Sequence, residues 1–366
     1  RSLTAHSLTE RNTAMSTSRQ TTRANHSLIL AATLATALAT ASTTAAAADV
    51  GALEPTTQHF IDALTANGGP AIYTLSPQDA RNVLAGAQAG PIAKLPAEIE
   101  EKTLPVGPTG STRVHVIRPA GAKGVLPVVM YFHGGGWVLG DEATHDRLVR
   151  QIANGAHATV VFVDYDRSPE TKYPVPIEQA YAATKYVAEH AQEFRVDAKR
   201  LAVAGDSVGG NMAAAVTLLA KERSGPKIGF QVLFYPVTDA NFTNGSYQQF
   251  ANGPWLTQAA MKWFWDAYLP DVAARQQPTA TPLNATLEQL KGLPSALVIT
   301  DENDVLRDEG EAYGRKLAAA GVSVTSTRYN GTIHDFVMLN AVAATPTAKA
   351  AVEQANAALR KAFVGK

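Results

Sequence analysis

Leu201-Ala202-Val203-Ala204-Gly205-Asp206-Ser207-Val208-Gly209-Gly210-Asn211 is the stretch whose reading decides how this chain is organised. Leu201 to Ala204 is apolar without alternation, the pattern of a strand buried on both faces. A helical pattern from about Val208 to Arg223 starts directly behind Ser207. A serine on so abrupt a strand-to-helix turn has a strained backbone and needs neighbours without bulk, which Gly205, Gly209 and Gly210 supply. The turn also presents the hydroxyl at the carboxyl end of the strand, where ligands of parallel sheets bind.

Outward from this turn, strand and helix signals alternate. Strands are expected at Lys102 to Val106, Arg113 to Ile117, Pro127 to Phe132, Thr159 to Val163, Phe230 to Tyr235, Ala296 to Thr300 and Val324 to Tyr329. Helices are expected at about 143–156, 176–194, 309–320 and 347–363, and amphipathic spacing after residue 50 predicts further helices ahead of the sheet. The order predicts an α/β fold, a mainly parallel eight-stranded sheet with helices on both faces. One segment, about 237–294, interrupts the alternation and holds Trp255, Trp263 and Trp265, three of the four tryptophans. It reads either as a packed helical excursion or as a lid over the strand ends.

Two other clusters share chemistry with Ser207. His133-Gly134-Gly135-Gly136-Trp137 follows the strand ending at Phe132, and consecutive glycines leave backbone amides free to face a cavity. Gly134, Gly135 and Gly136, with the amide of Val208, are therefore candidate donors to an oxyanion, while His133 is expected to brace the loop. Of the nine histidines only His334 follows Ser207, so a triad in the order Ser, acid, His requires His334 as base. Asp301, Glu302, Asp304, Asp308 and Glu309 crowd the end of the preceding strand. Asp308 and Glu309 read as N-cap and first-turn residues of the next helix, and Asp304, which lies in the loop between strand and helix, is the favoured acid. Trp137, Asp206, Trp255, Trp263 and Trp265 are expected to contact substrate.

With these motifs in place, the sequence resembles the hormone-sensitive-lipase-like branch of the α/β hydrolases (the bacterial family IV esterases and lipases) over nearly everything after residue 50. The resemblance rests on His133 to Gly136, Gly205 to Gly210, Asp304-Val305-Leu306-Arg307-Asp308-Glu309-Gly310 and Ile333-His334-Asp335-Phe336. It implies that the first Asp of the third motif, Asp304, is the triad acid. It also implies a cap formed by residues near 50–95 and 237–290. The chain departs from the family where Tyr165-Asp166-Arg167-Ser168-Pro169-Glu170 replaces the usual Tyr-Arg-Leu-Ala-Pro-Glu, and where Val208 replaces the more frequent Ala.

Composition narrows the rest. The 366 residues are 46% hydrophobic, and 32 basic residues balance 32 acidic ones without a Lys/Arg cluster, which argues against nucleic acid or an anionic surface as partner. A small neutral ester fits better, with no metal or cofactor expected. Without cysteine there is no thiol nucleophile or thiolate metal site. Residues 1–48 read as a leader: from Met15 the chain passes Arg19 and Arg23 into an apolar run from Leu28 to about Ala41, then Ala45 to Ala48 before Asp49. This pattern predicts a signal peptide cleaved near Ala48 and a secreted or periplasmic protein, with an organellar transit peptide as the alternative. The run is too short for a stable membrane span. The catalytic domain is assigned to 49–366. A trypsin-like protease is excluded by the α/β alternation and by the order Ser before His, whereas an amidase, a deacetylase or a non-catalytic receptor on the same scaffold stays open.

Overall fold

The computed structural model describes residues 51–364, so the leader reading, 1–48, falls outside the described residues. The sheet comprises β1 (Ala97–Leu104), β2 (Thr112–Pro119), β3 (Leu126–Phe132), β4 (Thr159–Asp164), β5 (Val196–Asp206), β6 (Phe230–Phe234), β7 (Ser295–Asn303) and β8 (Val324–Ile333). They lie in the order β1-β2-β4-β3-β5-β6-β7-β8. The pairs β1/β2 and β2/β4 are antiparallel, and all pairs from β4/β3 to β7/β8 are parallel. Each of the eight expected strands is present, with β1 and β5 beginning about five residues earlier than apolar content alone suggested. The added segment of β1 is mostly exposed and that of β5 partly so, and both lack the apolar signal of the buried parts.

The parallel register positions the site. Phe132 pairs with Gly205, and Gly205 with Leu233, so β3, β5 and β6 end at one level. The residues that follow, His133, Ser207 and Tyr235, therefore emerge side by side. Every residue of β3 is buried. The helix behind Ser207, Val208–Glu222, is buried along nearly its whole length, with the small residues Ala213, Ala214 and Ala215 all buried within it.

Two groups of helices cover the carboxyl ends. Ahead of the sheet run α1 (Pro55–Asn67) and α2 (Pro77–Gln88), both entered through a proline at the first turn, where its missing N–H costs no hydrogen bond. The insertion between β6 and β7 includes a helix at Gln258–Tyr268, capped by the Thr257 side chain. The cap is tied down by polar contacts: Arg81 of α2 donates to Val138 O at 2.8 Å and Ser168 O at 3.0 Å and pairs with Glu170 at 2.7 Å. No helix among the described residues is long and apolar enough to cross a membrane.

The helix after β7 spans Arg307–Ala319 with Leu306 at its N-cap, which corrects the N-cap role expected of Asp308. Asp308 instead accepts the amide of Ser246 at 2.8 Å. Both acids do lie in the first turn, as expected, and Glu309 there is buried and accepts the amides of Thr238 (2.8 Å) and Asp239 (3.2 Å), so it anchors the root of the insertion. Burial pushes its carboxyl well above the ordinary range.

Candidate active site

Ser207 has φ 56° and ψ −121°, a left-handed conformation that a non-glycine residue holds only when its surroundings impose it. The surroundings explain the flanking glycines. A Cβ on Gly209 would stand 1.9 Å from Phe132 O, and one on Gly205 would stand 2.2 Å from Gly209 O. The helix start is thus pressed against the end of β3, and the Ser207 amide is fixed to Phe234 O at 2.9 Å.

The Ser207 hydroxyl donates to His334 Nε2 at 2.9 Å, and His334 Nδ1 donates to Asp304 Oδ2 at 2.8 Å. Asp304 Oδ1 accepts the Leu306 amide at 3.1 Å, which holds the carboxylate edge toward the ring. All three residues are buried. Sequence order therefore brought together the three side chains that the structure joins, while Asp308 lies on the Ser246 side.

Burial opposes a charge on the His334 ring, but the carboxylates of Asp304 and Asp335 outweigh it and raise the ring above its ordinary value. Asp301 is buried behind Asp304, and burial together with the Asp304 charge pushes its carboxyl well up. Asp301, Asp304 and His334 have potential ligand atoms within 4.8 Å of one another. Within this cluster His334 and Asp304 are joined by the direct 2.8 Å hydrogen bond.

The glycine loop is held from both sides. The His133 ring stacks on Tyr165 (4.2 Å, 7°) and Phe162 (5.2 Å, 7°), and burial followed by the nearness of His145 pushes its pKa down to about 4. As a neutral ring it donates from Nδ1 to Gly134 O at 2.8 Å, the bracing role expected of it. Gly135 and Gly136, at φ 106° and 63°, face the cavity beside Ser207. Their amides have no acceptor among the described residues, and Val208, first residue of its helix, has an amide without an intrahelical partner.

Five expected residues need correction. Gly134 is not free to serve an oxyanion, because its amide donates to Asp206 Oδ1 at 3.1 Å. Asp206 touches no substrate space: it is fully buried and also accepts from Tyr131 Oη at 2.6 Å. Trp137 and Trp265 are core, for the Trp137 ring stacks on Tyr268 at 4.0 Å and meets Trp265 edge-on at 4.8 Å, both indoles being fully buried. Trp263 is half-buried and packs against Phe264 at 5.1 Å, one layer behind the cavity wall.

Of the expected tryptophans, only Trp255 lines the cavity. This space of about 320 Å³ opens onto Ser207 and His334 and is walled by apolar cap residues, among them Leu64, Ile72, Leu84, Met261 and Phe264. Asp335, also in the wall, was missed. Its Oδ2 accepts from Trp255 Nε1 at 3.0 Å and its Oδ1 lies 3.5 Å from His334 Nε2. Its place next to His334 in the chain was the available signal. Tyr235, whose ring meets His334 edge-on at 4.8 Å, was also missed, although it ends a strand expected to point at the site.

A buried serine, histidine and carboxylate in line, with free amides beside the hydroxyl at the carboxyl edge of a parallel sheet, define a serine-hydrolase arrangement. A family model described as the alpha/beta hydrolase fold matches residues 129–338. Carboxylesterase NlhH of Mycobacterium tuberculosis is 40% identical over 269 residues, covering 72% of this chain and 83% of the relative. A thermostable esterase from Pseudomonas putida has a solved structure with 56% identity and a TM-score of 0.84, covering 85% of this chain and 98% of the other. A fungal esterase from Rhizomucor miehei shows 40% identity and a TM-score of 0.80, covering 86% and 97%. This chain belongs to the hormone-sensitive-lipase-like branch of the α/β hydrolases and is a carboxylesterase-like hydrolase.

Proposed function

We propose that this hydrolase cleaves small carboxylic esters of short to medium acyl length through an acyl-enzyme on Ser207. The observation that carries this reading is the line Ser207 Oγ, His334 Nε2, His334 Nδ1, Asp304 Oδ2 at 2.9 and 2.8 Å, opening onto an apolar cavity. The hydroxyl attacks the acyl carbon while His334 takes its proton, and His334 then returns that proton to the departing alcohol. Asp304 keeps the ring in the tautomer that offers Nε2 to the serine. The amides of Gly135, Gly136 and Val208 receive the negative oxygen of the tetrahedral intermediate, and water repeats the cycle to release the acid.

The size preference follows from the cavity, whose 320 Å³ lies at the low end of the roughly 300–1,000 Å³ of small-molecule pockets. Each buried methylene contributes about 0.8 kcal/mol only while there is room for it. Hydrolysis of p-nitrophenyl esters from acetate upward, with matching anilides alongside, tests this. Turnover is expected to peak among short to medium esters and to be far lower on anilides. A maximum at long acyl chains, or faster anilide cleavage, contradicts it.

A further inference from the structure

Asp206 has both carboxylate oxygens inside the protein, and the reaction scheme above does not use it. Its Oδ1 accepts from Gly134 N (3.1 Å) and Tyr131 Oη (2.6 Å), and its Oδ2 accepts from His145 Nε2 (3.2 Å). His145 is itself fixed at the start of the helix Glu142–Ala156, with Nδ1 3.2 Å from Asp141 O and 2.9 Å from Thr144 Oγ1. One carboxylate thus joins the residue before the nucleophile, the glycine loop and the helix that follows that loop.

We propose that Asp206, held by His145, is the positioning residue of the oxyanion site, setting where the amides of Gly135 and Gly136 stand relative to Ser207. Gly134 is gripped at both ends of its peptide units, its amide by Asp206 and its carbonyl by His133. A Cβ on Gly134 would stand 2.3 Å from Asp206 Oδ2, so the loop lies directly on the carboxylate. With the Gly134 amide turned inward, the next two amides are the ones left for substrate. Because Asp206 and Ser207 are consecutive, a shift of the loop relative to the nucleophile requires breaking this buried contact. The pair is charged: burial would raise the Asp206 carboxyl, but the His145 charge and the hydrogen bonds from His145 and Tyr131 hold it below the ordinary range, and Asp206 in turn raises His145 against its own burial. Two carboxylate oxygens filled by three donors give a fixed orientation, which a single hydrogen bond does not.

The inference rests on the proposed serine mechanism, and the test separates the two. Asp206→Leu removes both acceptor oxygens while keeping the branched shape of the side chain. Asp206→Asn keeps one oxygen for Gly134 and Tyr131 and offers its NH2 to a neutral His145. The leucine variant is expected to lose about 10²-fold in kcat with KM within about threefold, the loss seen when one oxyanion donor is removed. Its affinity for a trifluoromethyl ketone, which forms an oxyanion on Ser207, is expected to fall in parallel. Affinity for the matching ether, which has no carbonyl, is expected to stay constant. The asparagine variant is expected to recover most of both losses.

If Asp206→Leu does not fold, His145→Leu carries the same comparison with an expected loss of about tenfold. Equal losses of ketone and ether affinity, an asparagine variant as impaired as the leucine one, or unaltered ketone affinity would overturn the inference. The Ser207→Ala variant of the otherwise native chain reports separately on the serine mechanism: if it retains turnover, that reading fails whatever the Asp206 variants do.

Discussion

The turn at Ser207 and the cap that faces it across the cavity are built on different terms. At the turn, backbone sets the geometry: a left-handed serine, glycines whose Cβ atoms would overlap carbonyl oxygens, and amides at a helix start. In the cap, side chains from α1, α2 and the insertion meet over the strand ends, and which of them touches the cavity depends on how the helices are rotated. Backbone requirements leave few residue types acceptable, so they are written locally in sequence. Cavity lining is not, because an aromatic residue serves equally well in a wall or in a core.

The sharpest way to break this contrast is at the acid. Asp304→Asn is expected to lower kcat by about 10³ to 10⁴, because the ring loses the partner that fixes its tautomer. Asp308→Asn is expected to leave turnover near the native level, since Asp308 is bonded to Ser246. Steady-state kinetics on both variants decide the matter, and a reversed ranking transfers the role.

The cap side is sharpened by two tryptophans with opposite expectations. Trp265→Ala is expected to cost about 3 to 5 kcal/mol of stability and to leave the acyl preference of the remaining folded enzyme unchanged, as for an aromatic removed from a packed core. Trp255→Ala is expected to destabilise less and to move the optimum toward longer acyl chains, each additional accommodated methylene being worth about 0.8 kcal/mol, roughly fourfold in rate. Melting curves and chain-length profiles on the pair separate wall from core. A shift for Trp265→Ala with none for Trp255→Ala would reverse the assignment.

The smallest effect expected lies where turn and cap touch. Asp335 places a negative charge 3.5 Å from His334 Nε2, and it is one of the carboxylates that raise the ring. Only the neutral ring accepts the serine proton, so kcat/KM rises with pH through the His334 pKa. Asp335→Asn removes one raising charge, so the acid limb of the kcat/KM profile is expected to move to lower pH. An unmoved limb, or one moved upward, shows that Asp335 does not act on the ring.

The same contrast explains what could be read from the chain before its structure. Eight strands and a mainly parallel sheet followed from apolar runs and intervening helical patterns, and the exposed start of β1 and the partly exposed start of β5 escaped because they carry no such signal. Ser207 and His334 were legible because the elbow spacing and the single late histidine leave no other choice. Asp304 was legible only from its place in the loop after the strand, supported by the family motif. Misreadings fall where three-dimensional contact decides: Gly134 looks identical to Gly135 and Gly136 in sequence, yet its amide meets Asp206. Asp206 adjoins Ser207 in the chain, yet its side chain is turned inward toward Tyr131 and His145. Trp137 and Trp265 found each other across 128 residues of sequence, a pairing that no local pattern encodes.

The central claim, that Ser207 carries the acyl group, is tested most directly by stoichiometric reaction of the native chain with an organophosphonate ester followed by peptide mapping. The expected result is one adduct per chain, on the peptide containing Ser207, with loss of esterase activity in proportion, and no adduct on Ser207→Ala. An adduct on another residue, or full esterase activity in Ser207→Ala, would contradict it.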